Sequence, residues 1–358
     1  MVRKRNRGNA RKGISPKQIR TNYVTQTLDE YFDLFYDIKT AEGKASSTLE
    51  QYRNNYKFFK RFLDMRYPYI SISEIDRKVC RDYIRYMREE AVRWENHKFL
   101  PKSSQTVGLS IETVNTRLKT LRVFFGCLVD EKGINENPME GVKNLRKEES
   151  NISVLNEDEL RRLLMAPNQI SFPEFRDYVL MYLLVDSMMR IGEAQRLQIQ
   201  DFDLYSNAVT IPAAIAKSRR ARTIMLQVRT IKLIKELYAE NKTDFDTNHI
   251  FLTNYGEPME RNHFRKRLIA YAKKAGITKK VHPHILRHTA ATMFLEDGGD
   301  IRHLQMILGH SDMRMVQRYT HPSEKSVARQ QSAHSAINKV IGKLNKPRKR
   351  KRNIDSDF

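Results

Sequence analysis

Several side chains in the second half of the chain have the types and spacing needed to act on an anion. Arg190 closes the apolar run "DYVLMYLLVDSMM" and precedes "IGEAQRL". A guanidinium at the end of so apolar a stretch is costly to bury without a partner. Glu193 is its natural partner, either as an ordinary ion pair or as the group that orients a fixed phosphate clamp. Lys217 lies in the basic "IAKSRRARTIML". In a hairpin turn it reads as a solvated charge, as a contact to a phosphate backbone, or as a proton donor reaching into a groove. In "VHPHILRHTAAT", Pro283 suits the first turn of a helix, and that start puts His284, Arg287 and His288 on one face. Arg287 among histidines describes a site where donors converge on growing negative charge.

His282, His284 and His288 would make a poor metal site. No cysteine or suitably placed carboxylate completes the set, and the arginine would repel a cation. His282 and His288 read instead as histidines satisfied by backbone near a helix start. The last stretch is "LGHSDMRMVQRYTH". Gly309 should end the short helix of "IRHLQMILG" and leave the His310 ring at its tip. Tyr319 is a packing residue if read alone. It becomes a candidate nucleophile only if arginines, a lysine and histidines from elsewhere converge on it, because a phenol near pKa 10 needs a base and cations to react at neutral pH.

The elements that must carry these groups are mostly helical. "TLDEYFDLF" opens with a capping box, Thr27 and Glu30, and "STLEQYRNNYKFFKRFL" offers another, Ser47 and Glu50. Leu49, Tyr52, Tyr56, Phe59 and Leu63 recur at helical spacing, as do Ile75, Val79, Tyr83 and Met87 further on. A fourth stripe, Val114, Leu118, Leu121 and Phe125, runs toward Gly133 as its expected stop. These four helices predict an all-helical domain over residues 23–145, with an exposed loop, "WENHKFLPKSSQTVGL", between the third and fourth. A charged link leads to the capping pair Asn156 and Glu159 and to a second domain over 153–344. That domain is helical apart from the β-rich runs "NAVTIPA" and "ARTIMLQV" and the short apolar "HIFLT", which predict a small antiparallel sheet with a basic turn. Residues 1–22 form a basic arm without acidic groups, and residues 345–358 form a basic tail.

The chain of 358 residues has 65 Lys+Arg against 42 Asp+Glu, a formal net charge of +23, so its partners should be polyanions, nucleic acid first. A hydrophobic fraction of 40% argues against wholesale disorder. Cys80 and Cys127 fall in amphipathic helices and read as core thiols of a reduced protein. No apolar run has the roughly 18 residues of a membrane span, and the N-terminus lacks the apolar block of a secretory signal. These features predict a cytoplasmic protein without a membrane partner.

The order Arg, Lys, His-x-x-Arg, Gly-His, Tyr resembles the tyrosine recombinase family, also called phage-integrase-type recombinases. "SMMRIGEAQRL" looks like the family's first-arginine box and "AKSRRARTIML" like its lysine hairpin. "HPHILRHTAAT" and "LGHSDMRMVQRYTH" are similar to its remaining boxes, and the helical first half fits its core-binding domain in architecture. The fold expected from the resemblance is mainly α with a small antiparallel β-sheet, a helical core-binding domain followed by an α+β catalytic domain. The resemblance further implies that Tyr319 attacks the scissile phosphate to form a 3′-phosphotyrosyl bond and that Arg190 and Arg287 bind the nonbridging oxygens. Lys217 would protonate the leaving 5′-oxygen, His284 would assist proton transfer at the nucleophile, His310 would hydrogen-bond the phosphate, and Glu193 would support. No cofactor and no metal are implied.

The implied partners are double-stranded DNA carrying recombination sites, a homo-tetramer assembled on it, and accessory DNA-bending or excision factors. The implied task is integration or excision of a phage or other mobile element in a bacterium, where the protein would be nucleoid-associated. A DNA-binding repressor or architectural protein, or a type IB topoisomerase, are the competing readings. Met188 stands where the family commonly has glycine, Gly192 where serine is frequent, and Met225 where proline is frequent. None of the three removes a reacting group. After Tyr319, Ala333, Ala336, Ile337, Val340, Ile341 and Leu344 predict one more amphipathic helix, which in the family often docks on a neighbouring subunit.

Overall fold

The computed structural model describes residues 27–93, 95, 103, 105–147, 153–309, 312–317, 319 and 332. The basic arm, the basic tail, most of the loop at 94–109, His310 and the helix expected after Tyr319 lie outside the described residues. Two compact units divide the chain, Met1–Glu149 and Ser150–Phe358.

The first unit is built from α1 (Leu28–Ala41), α2 (Ser46–Arg66), α3 (Arg77–Glu89) and α4 (Ile111–Asp130). Their apolar stripes meet in an aromatic core. Phe32 stacks on Tyr56 at 3.9 Å between centroids, and Phe35, Phe59, Tyr83 and Phe125 are fully buried around them. Asn55 donates to Thr120 at 2.8 Å inside this core, so the polar groups buried between α2 and α4 satisfy each other. The Thr27–Glu30 capping box forms as expected.

Two local expectations are corrected. Ser47 does not cap α2, because the helix starts two residues earlier than that cap would set: Ala45 is the N-cap, its carbonyl accepts from Leu49, and Ser47 already lies in the first turn. Gly133 does not terminate α4 either, which ends at Asp130. The left-handed turn is made by Lys132 (φ 58°), while Gly133 lets the chain pass Tyr31, whose Cε1 would sit 2.9 Å from an added Cβ.

In the second unit, α5 (Glu157–Met165) carries the expected Asn156–Glu159 box and packs against α6 (Phe172–Ser187). Buried residues surround α6 on every side, as its uninterrupted apolar run requires, so it is the central strut. The charges it carries inward are satisfied locally: Asp177 accepts from Arg176, Arg267 and the Tyr271 hydroxyl. A one-turn helix α7 (Ile191–Ala194) follows, and then an antiparallel sheet of β1 (Phe202–Asp203), β2 (Ala208–Ile211) and β3 (Arg222–Met225) in that order. Its register pairs Phe202 with Val209 and Thr210 with Thr223.

The apolar "HIFLT" is not a strand of this sheet. His249 and Leu252 form only isolated bridges, to Gln198 and Pro258. The remaining helices are α8 (Val228–Asp244), α9 (Arg261–Lys274), α10 (Pro283–Glu296), α11 (Ile301–Leu308) and α12 (Arg314–Gln317). The fold is mostly helical with a small three-stranded antiparallel sheet.

Candidate active site

The end of α6 sets the first piece. Its C-cap, Met188, takes the left-handed conformation (φ 51°, ψ 21°) and turns the chain sharply. That conformation favours glycine and costs other residues on the order of 1 kcal/mol. The position is the one where the resemblance leads one to expect glycine. Here the methionine side chain stays and packs, 8% exposed, in the same apolar cluster as Tyr319. The turn delivers Arg190 to the N-cap of α7, so that Glu193 returns beneath it.

Glu193 is 1% exposed and gathers donors from three residues, the nearby Arg190 and the more distant Lys217 and Arg222. One oxygen accepts from the Arg190 amide (3.0 Å) and from Arg222 Nη2 (2.6 Å). The other accepts from Arg190 Nη1 (3.1 Å) and from the Lys217 amide (3.4 Å). Burial pushes this carboxyl up, but the Arg222 hydrogen bond, the Arg190 amide and the two guanidinium charges outweigh it and hold the pKa at about 2. Glu193 is therefore a permanent anion, and it fixes both the Arg190 fork and the start of the lysine turn. Lys217 itself is exposed in the connection between β2 and β3.

Arg222 escaped the sequence reading. It looks like one more basic residue beside Arg219 and Arg220, yet it bonds Glu193 and also donates to the Ile307 carbonyl at 3.2 Å. It thus ties β3 to α7 and to the end of α11. Gly309, left-handed at φ 61°, leaves just enough room, since an added Cβ would lie 3.0 Å from Arg222 Cδ.

The helix α10 begins with Pro283 and carries the second arginine, as the spacing predicts. Arg287 is 4% exposed. Its Nη1 donates to the Met188 carbonyl (2.7 Å) and its Nη2 to the Leu308 carbonyl (2.9 Å). Both acceptors sit at helix C-termini, where carbonyls lack intrahelical partners. Burial first, and then the charge of Arg190, lowers its pKa to about 10, so it stays a cation at neutral pH. Arg190, Tyr319, Glu193 and Arg222 all act electrostatically on this guanidinium, which places the five groups in one neighbourhood.

The histidines sort differently from expectation. His284 Nε2 lies 3.3 Å from Arg261 Nη2. Its pKa falls to about 4 through burial and then through Arg261, His282, Arg287 and Arg190, so the ring is neutral at pH 7. His288, read from sequence as satisfied by backbone, instead has its Nδ1 2.9 Å from the Tyr319 hydroxyl oxygen. One residue beyond the clamp arginine, its ring turns toward the Tyr319 segment, a partner 31 positions away that helical spacing could not reveal. Tyr319 is 7% exposed, packed among Met188, Leu304, Leu308 and Val316. No group of three His, Cys, Asp or Glu able to hold a metal occurs among the described residues.

Residues 153–326 match the phage integrase family, and residues 27–147 match the phage integrase SAM-like domain. The tyrosine recombinase XerC of Bacillus subtilis (strain 168) is 32% identical over 253 residues, covering 69% of this chain and 82% of the relative. The chain belongs to the phage integrase family of tyrosine recombinases. Its enzyme class is the tyrosine-type site-specific recombinase. Tyrosine recombinase XerD of Staphylococcus saprophyticus is 27% identical over 304 residues, covering 84% of this recombinase and 95% of the relative. The Tn1549 transposon integrase, solved in complex with a circular intermediate DNA, has the same fold, with a TM-score of 0.66 at 18% identity over 86% of this chain and 99% of that one.

Proposed function

We propose that this recombinase cleaves and rejoins double-stranded DNA through a 3′-phosphotyrosyl bond to Tyr319, in the integration and excision of a phage or other mobile element. The observation that carries the chemistry is the shared neighbourhood of Arg190, Arg222, Glu193, Arg287 and Tyr319 around the left-handed turn at Met188. Arg190 and Arg287 bind the nonbridging phosphate oxygens. A guanidinium is a fixed cation with a planar fork of donors, so both supply charge neutralisation and geometry together. The two clamps are held by carbonyls and a carboxylate already in place, which removes reorganisation from the reacting step. Glu193 supports Arg190, Lys217 protonates the leaving 5′-oxygen, and His310 hydrogen-bonds the phosphate. The covalent phosphotyrosine conserves the bond energy, so religation to a new 5′-hydroxyl needs no nucleotide.

Four protomers on two sites, with accessory DNA-bending or excision factors, complete this reading, and the protein works in the bacterial cytoplasm. The mobile-element assignment draws on the family resemblance, and the basic arm, residues 1–22, would add DNA contacts. A second reading, a resolvase-like role, is favoured by the similarity to XerC and XerD.

The test uses nicked suicide duplexes whose half-sites are randomised, so that cleaved sequences trap themselves on the protein. A covalent protein–DNA band should survive on a denaturing gel, and it should vanish in Tyr319→Phe. Failure to trap any duplex would favour a DNA-binding protein without strand cleavage. A band persisting in Tyr319→Phe would mean that the nucleophile is another residue. Sequencing the trapped duplexes separates the two biological readings, because mobile-element ends and a single chromosomal locus differ in number and context.

A further inference from the structure

We propose that His288 accepts the phenolic proton of Tyr319 as that oxygen attacks phosphorus. The inference rests on Tyr319 being the nucleophile, as proposed above. It starts from a polar contact to the reacting atom itself: Tyr319 Oη lies 2.9 Å from His288 Nδ1, within hydrogen-bond distance.

The helix that carries His288 is fixed from several sides. Pro283 sets its start, the Thr289 hydroxyl accepts from the buried Leu155 amide at 2.9 Å, and Arg287 is pinned to two carbonyls. The phosphate clamp and the base therefore sit on consecutive residues of one rigid element. A phosphate gripped by Arg287 would be met by a phenol whose hydrogen bond comes from the next side chain along.

The surroundings of the phenol make a contacting base necessary. Tyr319 packs in an apolar cluster with Met188, Leu304, Leu308 and Val316 and is 7% exposed, so bulk water is a poor acceptor for its proton there. The proton must then leave as the oxygen–phosphorus bond forms, to a group already touching it. His284, the other candidate, has its Nε2 against the Arg261 guanidinium. A guanidinium has only donors, so the lone pair of that nitrogen is engaged.

The step balances. In the tautomer with its hydrogen on Nε2, His288 offers the Nδ1 lone pair to the phenol. The Tyr319 O–H bond breaks, its proton passes to Nδ1, and the Oη–P bond forms. The P–O5′ bond breaks, and the leaving oxygen takes a proton from Lys217. On religation a 5′-hydroxyl attacks and gives its proton back to the Lys217 amine, the O5′–P bond forms as the Oη–P bond breaks, and the His288 imidazolium returns its proton to the tyrosyl oxygen.

The experiment measures the rate of covalent-band formation on a duplex that traps the parent protein, with duplex binding and thermal unfolding measured alongside. His288→Ala should bind DNA like the parent and form the band about 100-fold more slowly or worse. His288→Asn keeps an amide able to hydrogen-bond the phenol but cannot take a proton, and it should be as slow. If His288→Ala does not unfold like the parent, His288→Asn carries the test. Replacing Tyr319 by 3,5-difluorotyrosine, a more acidic phenol, should recover most of the lost rate in either variant while changing the parent little. Parent-like or faster cleavage by both variants would overturn the proposal, and so would a slow variant that the acidic phenol does not rescue. That last result would mean His288 only positions the ring. Loss of the band in the parent itself would bring down the phosphotyrosyl reading, and this inference with it.

Discussion

Glu193 shows at the scale of single residues how a carboxylate can organise a cationic site. With its pKa held at about 2 against an ordinary 4.5, its folded form binds a proton less readily than its unfolded form. It therefore contributes stability that is fully present above about pH 4.5 and is lost as pH falls toward 2, on the order of 3 kcal/mol in all. The unfolding free energies of the parent and Glu193→Gln should differ most near neutral pH and converge as the buffer is taken from pH 5 toward 2. A difference that stays constant over that range would remove Glu193 as the titrating group. The sequence singles out Arg190, Glu193 and Arg287 at this scale because they are charges set against apolar or histidine-rich stretches, whereas Tyr319 stands out only through the order of the boxes. Arg222 and His288 were missed because nothing local marks them. Their significance lies in partners 29 and 31 positions away.

Among the elements, the amphipathic stripes and two of the capping boxes were legible, because short-range spacing determines them. The start of α2 was not, since a serine works as well inside a first turn as before it, and the choice falls to packing. Met188 was legible only as an odd residue at a position where glycine is usual. Its backbone gives the reason, and a paired substitution measures it. Met188→Gly and Met188→Ala both remove the buried side chain and should both lower the unfolding midpoint. The glycine variant should be the more stable by about 1 kcal/mol, reversing the usual order of the two residues in helices, because only alanine keeps the left-handed strain. Equal midpoints would show that the turn relaxes to another conformation when the side chain is cut back.

For the whole molecule, the net charge of +23 sets the expected behaviour toward DNA more than any single contact does. The affinity for duplex DNA should fall steeply with salt, and the steepness counts the phosphates engaged. Residues 1–22 hold eight of the basic side chains. Deleting them should flatten the slope of log affinity against log salt by about 0.9 for each one that meets a phosphate. Anisotropy titrations over a salt series read this directly, and an unchanged slope would show that the arm does not touch the duplex. The division into two units was legible from composition, since a charged link separates two runs of differently patterned helices. The partner class followed from charge, whereas the DNA sequence selected is set by side-chain contacts to base edges, which net charge does not specify.

Arg222 has one further consequence. By bonding both Glu193 and the Ile307 carbonyl, it closes a loop of contacts through the arginine turn, the lysine hairpin and the end of α11. Parts joined in a ring fail together: loosening any one of them loosens the rest. Variants along it will tend to be wholly competent or wholly inert, with few that cut weakly. For a site-specific recombinase, a fault that silences the blade is safer than one that leaves it working out of register.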